Sequence, residues 1–195
     1  GNAGSHRNAE GIGFLRSRGF KQPIAGIHAA DLPVALEIAV CNMVRIYDDD
    51  TTEPFYAPVD TLTVWEDQQR FETLKQPSVC NKLFLAKLFQ DVRFPKGKFY
   101  EDTFVYHVLA HRASKIVLTG HDGYYYLSRR ESILGQPKYT DRYFDFVEAV
   151  YTRASYLIEH QVPHYSDEAC LSLYAAVANA ERYINKTNKN TDICQ

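Results

Sequence analysis

The segment EIAVCNMVRIY, residues 37–47, constrains the fold more than any other stretch of the chain. It is apolar, rich in β-branched residues and long enough for a buried strand, and DDDTTEP closes it with turn formers. Signals of both kinds follow. WEDQQRFETL (65–74) and NKLFLAKLF (81–89) read as short helices, the second with Leu83, Phe84, Lys87 and Leu88 at helical spacing. Residues 101–111 form the clearer helix, with Phe104, Val105, Val108 and Leu109 on one apolar face. KIVLTG and GYYYLS then read as two strands. Upstream, GIGFL (Gly11 to Leu15) is a short strand running into the loop RSRGFKQP, and IAGIHAADLPVAL is weakly helical and interrupted at Pro33. From Thr140 onward, TDRYFDFVEAVYTRASYLIEHQ and SDEACLSLYAAVANAERYIN are two amphipathic helices, each opened by Thr or Ser beside an Asp. The tail KTNKNTDICQ is polar and reads as frayed. The pattern predicts an α/β fold: an α/β core over residues 1–139 and a C-terminal helical pair over 140–195.

Charge and cysteine usage narrow the function. The 195 residues, 45% hydrophobic, are enough for one well-buried core. Lys plus Arg number 22 against 24 Asp plus Glu, a formal charge of -2 with no basic run, which argues against a nucleic-acid partner. Cys41, Cys80, Cys170 and Cys194 are widely spaced and form no CxxC pair, so neither a zinc site nor a dense disulfide framework is indicated, and a reducing cytoplasm fits. No apolar run approaches the roughly 18 residues of a spanning helix, and no signal peptide is visible. The opening GNAGSH is Gly-rich and contains GSH, common in cleaved expression tags, so it is either vector-derived or native. Asn185-Lys186-Thr187 matches a glycosylation sequon, a pattern too short to carry an argument.

Several clusters carry possible chemistry. Glu101 and Asp102 open the helix at 101–111. Acids there complement the exposed N–H groups and the positive dipole end, and a carboxylate in the same place can serve as a general base if a cleft desolvates it. His107 and His111, four residues apart, share a helical face, but the residues between them include no acid of the HExxH type, and an ordinary surface or boundary pair is the plainer reading. Tyr47-Asp48-Asp49-Asp50 offers carboxylates to a hard cation and reads more simply as a solvated turn. In GYYYLSRRESI, alternate tyrosines face opposite sides of a strand, and Arg129 and Arg130 either solvate the next loop or clamp a phosphate.

The block NKLFLAKLFQDVRFPKGKFYEDTFVYHVLAHRASKIVLTGHDGYYYLSRRESI, Asn81 to Ile133, resembles the C-terminal half of a family 2 glycosyltransferase of the GT-A type that builds bacterial cell-surface polysaccharide. The NKLF…LF element, RFPKGKFYED, the strand near KIV, and tyrosines followed by Arg129 and SI come in the family's order, and EIAVCNMVRIYDD resembles the strand just upstream. The resemblance implies a partial or degenerate GT-A-like mixed sheet with flanking helices, a nucleotide-sugar donor, a glycan acceptor and a location in the cytoplasm, peripheral to the inner membrane. It implies Asp102 as general base with Glu101 beside it, and a diphosphate contact at Arg129 with Arg130 next to it. Leu127 stands where related sequences often carry a second basic residue.

The chain also departs from that pattern. The nucleotide-binding strands that open such enzymes have no counterpart here, and GIGFL runs into Arg16-Ser17-Arg18-Gly19 where the family has the Asp-Ser-Asp-Asp motif that holds Mg²⁺ or Mn²⁺. Arginine has no lone pair to offer a cation, so no cofactor is evident in this chain. NAGSHRNAEG is similar, in shortened form, to the family's Asn-Gly-Gly-x-Ser-x-x-Arg-Asn segment. Two expectations follow: sugar transfer with Asp102 as base, or a degenerate, non-catalytic transferase module that binds or assembles. With its central strands missing, GIGFL and residues 37–47 are expected to leave an unpaired edge and the protein to form a homo-oligomer.

Overall fold

The computed structural model describes residues 36–128, 142–162 and 165–191. GIGFL, the Arg16–Gly19 segment and the Arg129–Arg130 pair lie outside the described residues. Five strands form one mixed sheet: β1 (Ile38–Ile46), β2 (Thr52–Pro54), β3 (Thr63–Glu66), β4 (Lys82–Phe84) and β5 (Lys115–Leu127). β1 runs parallel to β5, which pairs antiparallel with β3. On its other edge β1 takes two short antiparallel partners, β4 along its first half and β2 along its second. The strand expected at 37–47 is therefore present, while the unpaired edge expected of it is not: both edges of β1 are occupied.

Three sequence expectations change on folding. NKLFLAKLF is not a helix. Its first part is β4, held by the pairs Ile38 with Phe84 and Val40 with Lys82, and only Ala86–Phe89 make a 3₁₀ turn. Three residues of strand close a ladder against β1 that a helix would leave open. WEDQQRFETL begins as strand, Trp65 and Glu66 belonging to β3, and continues as a 3₁₀ helix, Asp67–Lys75. KIVLTG and GYYYLS are a single strand, β5, whose register against β1 shifts between Val40 and Asn42 and again between Asn42 and Met43. Gly120 sits in the first shift at φ +72, and a Cβ there would lie 2.8 Å from the Thr61 backbone, so only glycine fits the bulge. Asn42 completes it: its side-chain amide donates to the Val59 carbonyl and accepts from the Val59 N–H, both at 3.0 Å, as a strand neighbour would.

Helix α1 (Glu101–Arg112) crosses from the β4 side to β5, and α2 (Tyr143–Glu159) and α3 (Tyr165–Thr191) pack beyond it. The core gathers Ile38, Val40, Phe71, Leu88, Tyr106, Leu109 and Ile116 with Ala154, Leu157 and Ala169, so the C-terminal helices share the core of the sheet. Covered on two sides, α1 buries more than the predicted face. Val105 and Leu109 are buried as expected, Phe104 and Val108 only half so, and Thr103, Tyr106, His107 and Ala110 are buried with them. Of the two residues expected to open the C-terminal helices, Ser166 is among the described residues. Thr140 lies outside the described residues, and the Ser166 hydroxyl donates to the carbonyls of Val162 and Leu157 instead of accepting from its own helix. Helix α3 also runs on to Thr191, through most of the polar tail.

The histidine pair faces α2. His107 is 1% exposed, deeper than the surface or boundary position expected, with Nδ1 at 3.2 Å from the Thr103 carbonyl oxygen and its ring edge-on to Tyr156. His111 Nδ1 lies 3.0 Å from the Tyr156 hydroxyl. Burial lowers the pKa of His107 to about 4, and lowers that of His111 as well. A histidine whose folded pKa is depressed favours folding fully above its unfolded value near 6.5, and that contribution is lost as the pH falls through 6.5 toward 4. His107 alone accounts for about 3 kcal/mol across that window. Urea unfolding at pH 7 and pH 4.5 should show the loss, and His107→Phe, which keeps a ring against Tyr156, should remove most of it. An equally steep acid dependence in the variant would contradict the assignment.

Candidate active site

The Glu101-Asp102 pair sits where the chain turns sharply into α1. Tyr100, the residue before it, adopts a left-handed backbone (φ 59, ψ 34) and packs its ring on Phe146. A non-glycine residue there is strained by about 1–2 kcal/mol, which the surrounding packing must hold. No side chain caps the helix at Tyr100. Glu101 is exposed, while Asp102 is half-buried and turned away from its own helix. Its Oδ2 accepts the backbone N–H of Val79 at 3.1 Å, and the Ser78 hydroxyl is near enough to the same carboxylate to favour its charged form. The carboxylate thus tethers the connection 76–81 to α1.

That connection is fixed from below by Lys82, the first residue of β4. Lys82 is 7% exposed, and its Nζ donates to the carbonyls of Gln76 (2.8 Å) and Ser78 (2.5 Å) and to Asn81 Oδ1 (3.0 Å). The ammonium also lies 4.7 Å from the centre of the Tyr106 ring. Asn81 is locked to β1, its Nδ2 donating to the Cys41 carbonyl at 2.8 Å and its own carbonyl accepting the Cys41 N–H at 3.0 Å. Tyr56 and the exposed Cys80 complete the surroundings of Asp102, and Ser78 Oγ lies 3.0 Å from Cys80 Sγ.

Electrostatics here follow burial. Desolvation pushes the Asp102 pKa above the usual carboxylate range, and the neighbouring Glu101 charge adds to the rise. The Val79 N–H, the Lys82 ammonium and the Ser78 hydroxyl pull it back without cancelling it. Burial lowers Lys82 toward about 7, while its carbonyl acceptors and the Tyr106 ring favour the charged ammonium. Tyr56 is raised to about 12 and Cys41 to about 11, both mainly by burial. A carboxylate with a raised pKa, held by the Val79 N–H, is a stronger proton acceptor than an exposed aspartate.

Of the four site residues expected from sequence, the structure places Glu101 and Asp102 together at the start of α1, and Arg129 and Arg130 lie outside the described residues. Sequence reasoning missed Ser78, Val79 and Lys82. A lysine between Asn81 and the apolar run Leu83-Phe84-Leu85 was a visible signal, because a charge at the head of a buried strand needs partners. Among the described residues, no three His, Cys, Asp or Glu side chains are grouped to hold a metal ion. The Tyr47–Asp50 carboxylates form a turn in which Asp49 accepts the Thr51 N–H at 3.1 Å. The divalent cation implied by the family motif does not fit Arg16-Ser17-Arg18-Gly19, whose side chains include two guanidinium groups and no carboxylate. No protein-family model matches the chain, and no curated protein matches it.

The tether and the cap make opposite predictions for Asp102→Asn. A group whose folded pKa is raised favours folding below its unfolded pKa and loses that contribution as the pH rises through the folded value, so once ionised the desolvated carboxylate works against folding. Asparagine removes the charge and can still accept the Val79 N–H. Thermal unfolding at pH 7 should show Tm unchanged or higher. A loss of about 2–4 °C, the equivalent of about 1 kcal/mol, would return Asp102 to a helix-capping role.

Proposed function

We propose that the chain carries the acceptor side of a family 2-type, GT-A-like glycosyltransferase, with Asp102 as general base. The observation that supports this most is the orientation of Asp102. It stands in the first turn of α1, where capping is the usual task, yet bonds to the 76–81 connection and is desolvated there. In the proposed reaction an acceptor hydroxyl gives its proton to Asp102, its oxygen attacks the anomeric carbon of a nucleotide sugar, and the nucleoside diphosphate departs with the bonding electrons. Glu101 supports the base through its charge, and Arg129 with Arg130 meets the diphosphate. No step is assigned to a metal.

In a transfer assay on the longest natural protein carrying this segment, with a panel of nucleotide sugars, Asp102→Asn should lower kcat by roughly 100-fold or more with the fold intact. The rate should also fall toward acid as the base becomes protonated, with a midpoint above the ordinary aspartate value of about 3.9. Near-normal turnover in the variant would overturn the reading. A second reading, the degenerate module that binds or assembles, is favoured by Arg16-Ser17-Arg18-Gly19 at the place of the metal motif. It predicts nucleoside diphosphate binding no tighter than about millimolar by titration calorimetry, with or without Mn²⁺. Micromolar, metal-dependent binding would exclude it.

Self-association belongs to both readings. With β1 paired on both edges, its support moves to the helices. On α3, Leu171 is 70% and Tyr174 75% exposed, Val177 and Ile184 are exposed with them, and α2 adds Tyr151 and Ile158. Among the described residues, no helix is long and apolar enough to cross a membrane. Light scattering at concentrations on the order of tens of micromolar should report a dimer or larger species. A monomer would contradict this.

A further inference from the structure

The bonds on the two sides of one peptide group carry an inference beyond the base itself. The Ser78 carbonyl and the Val79 N–H belong to the same peptide unit, and no cis peptide occurs among the described residues, so the C=O and N–H point in opposite directions across a rigid plane. The oxygen faces Lys82 Nζ at 2.5 Å, and the N–H faces Asp102 Oδ2, its nitrogen 3.1 Å away. A buried cation and a half-buried anion are therefore joined in line through a single amide. We propose that Lys82 is the positioning residue for Asp102, acting through the Ser78–Val79 peptide. The inference rests on the reading of Asp102 as the base.

Two physical effects support this role. The ammonium polarises the peptide it binds, which strengthens the N–H on the far side as a donor to the carboxylate. It also blocks rotation of the peptide plane, since a flip would bring the carbonyl oxygen toward the Asp102 carboxylate and strip Lys82 of an acceptor. Lys82 is itself immobilised by Gln76, Asn81 and the Tyr106 ring, and Asn81 is bolted to β1. The base is thus referenced to the sheet, although it stands on a helix. The titratable groups around it are Glu101 on its own helix, Cys80 and Lys82 from the 76–82 segment and Tyr56 from the chain after β2, and Cys41 of β1 acts on Lys82. Lys82 is the cation among them.

Lys82→Met keeps the apolar stem and removes the ammonium. In that variant the acid limb of the kcat profile should move to higher pH, because the carboxylate loses both the cation and its best-oriented N–H, and hydrogen exchange at the Val79 amide should accelerate by about tenfold or more. A residue that served stability alone would lower activity without moving the limb. An unmoved limb and unchanged Val79 exchange in a folded variant would overturn the proposal. Exchange at Val79 needs no turnover, so it tests the lysine even if no transfer is found, and absence of transfer counts against the base reading only. Should Lys82→Met fail to fold, Lys82→Gln takes its place. In the unmodified protein Val79 must itself be protected by at least about 100-fold, and a freely exchanging Val79 amide would refute the bridge without any variant.

Discussion

A buried ammonium is tolerated only when its protons find acceptors, and the satisfaction of Lys82 is the constraint around which the candidate site is arranged. Three oxygen atoms, all from residues 76–81, take its three donors. That requirement coils the connection between the 3₁₀ helix Asp67–Lys75 and β4 tightly over the lysine. It also turns the Val79 N–H outward to the place where α1 begins. Remove the charge, and nothing obliges that segment to present an amide to Asp102.

The sheet supplies the frame. Asn81, reaching β1 at Cys41, and Asn42, within β1, use side-chain amides to hold the 76–81 connection and the chain at Val59 to that strand. At the opposite end, Glu37 accepts from Lys87 at 2.6 Å and from the Ser114 hydroxyl at 2.7 Å, tying the start of β1 to the turn after α1. Burial alone would raise the Glu37 pKa, but these donors outweigh it and hold the carboxyl down at about 2. With β1 fixed at its start and its middle, the 12 residues of α1 have little freedom in register, and the position of Asp102 follows.

The parts legible in the sequence were those set by local pattern. β-branched residues announced β1, and the helical spacing of α1 through α3 survived folding, α2 and α3 because each buries one stripe against a neighbour and α1 although it buries more than one. The parts that were not legible depend on distant partners. Leu83, Phe84, Lys87 and Leu88 fit a helix by spacing, yet β1 offered β4 a ladder, and tertiary pairing won. The double shift in β5 looked like two strands because Gly120 and Gly123 read as breaks rather than as bulges. The pair Glu101-Asp102 was visible, but its partners lie more than twenty residues upstream, in a segment whose own signal was only the polar pair Asn81-Lys82 within an apolar surround. Nothing in the spacing of His107 and His111 foretold burial, because the cover comes from Tyr156 on α2.

What joins fold to chemistry in this account is one carboxylate, desolvated and held from outside its own helix. Capping, catalysis and simple tethering all place an acid at the start of α1, and they differ in the proton affinity they give it. The most direct measurement is therefore the titration of the Asp102 side-chain carboxyl carbon by NMR in the folded protein. A midpoint displaced upward from the ordinary aspartate value of about 3.9 is expected, with the Val79 amide resonance following the same curve. A midpoint at or below that value, or a Val79 amide indifferent to the titration, would contradict that expectation.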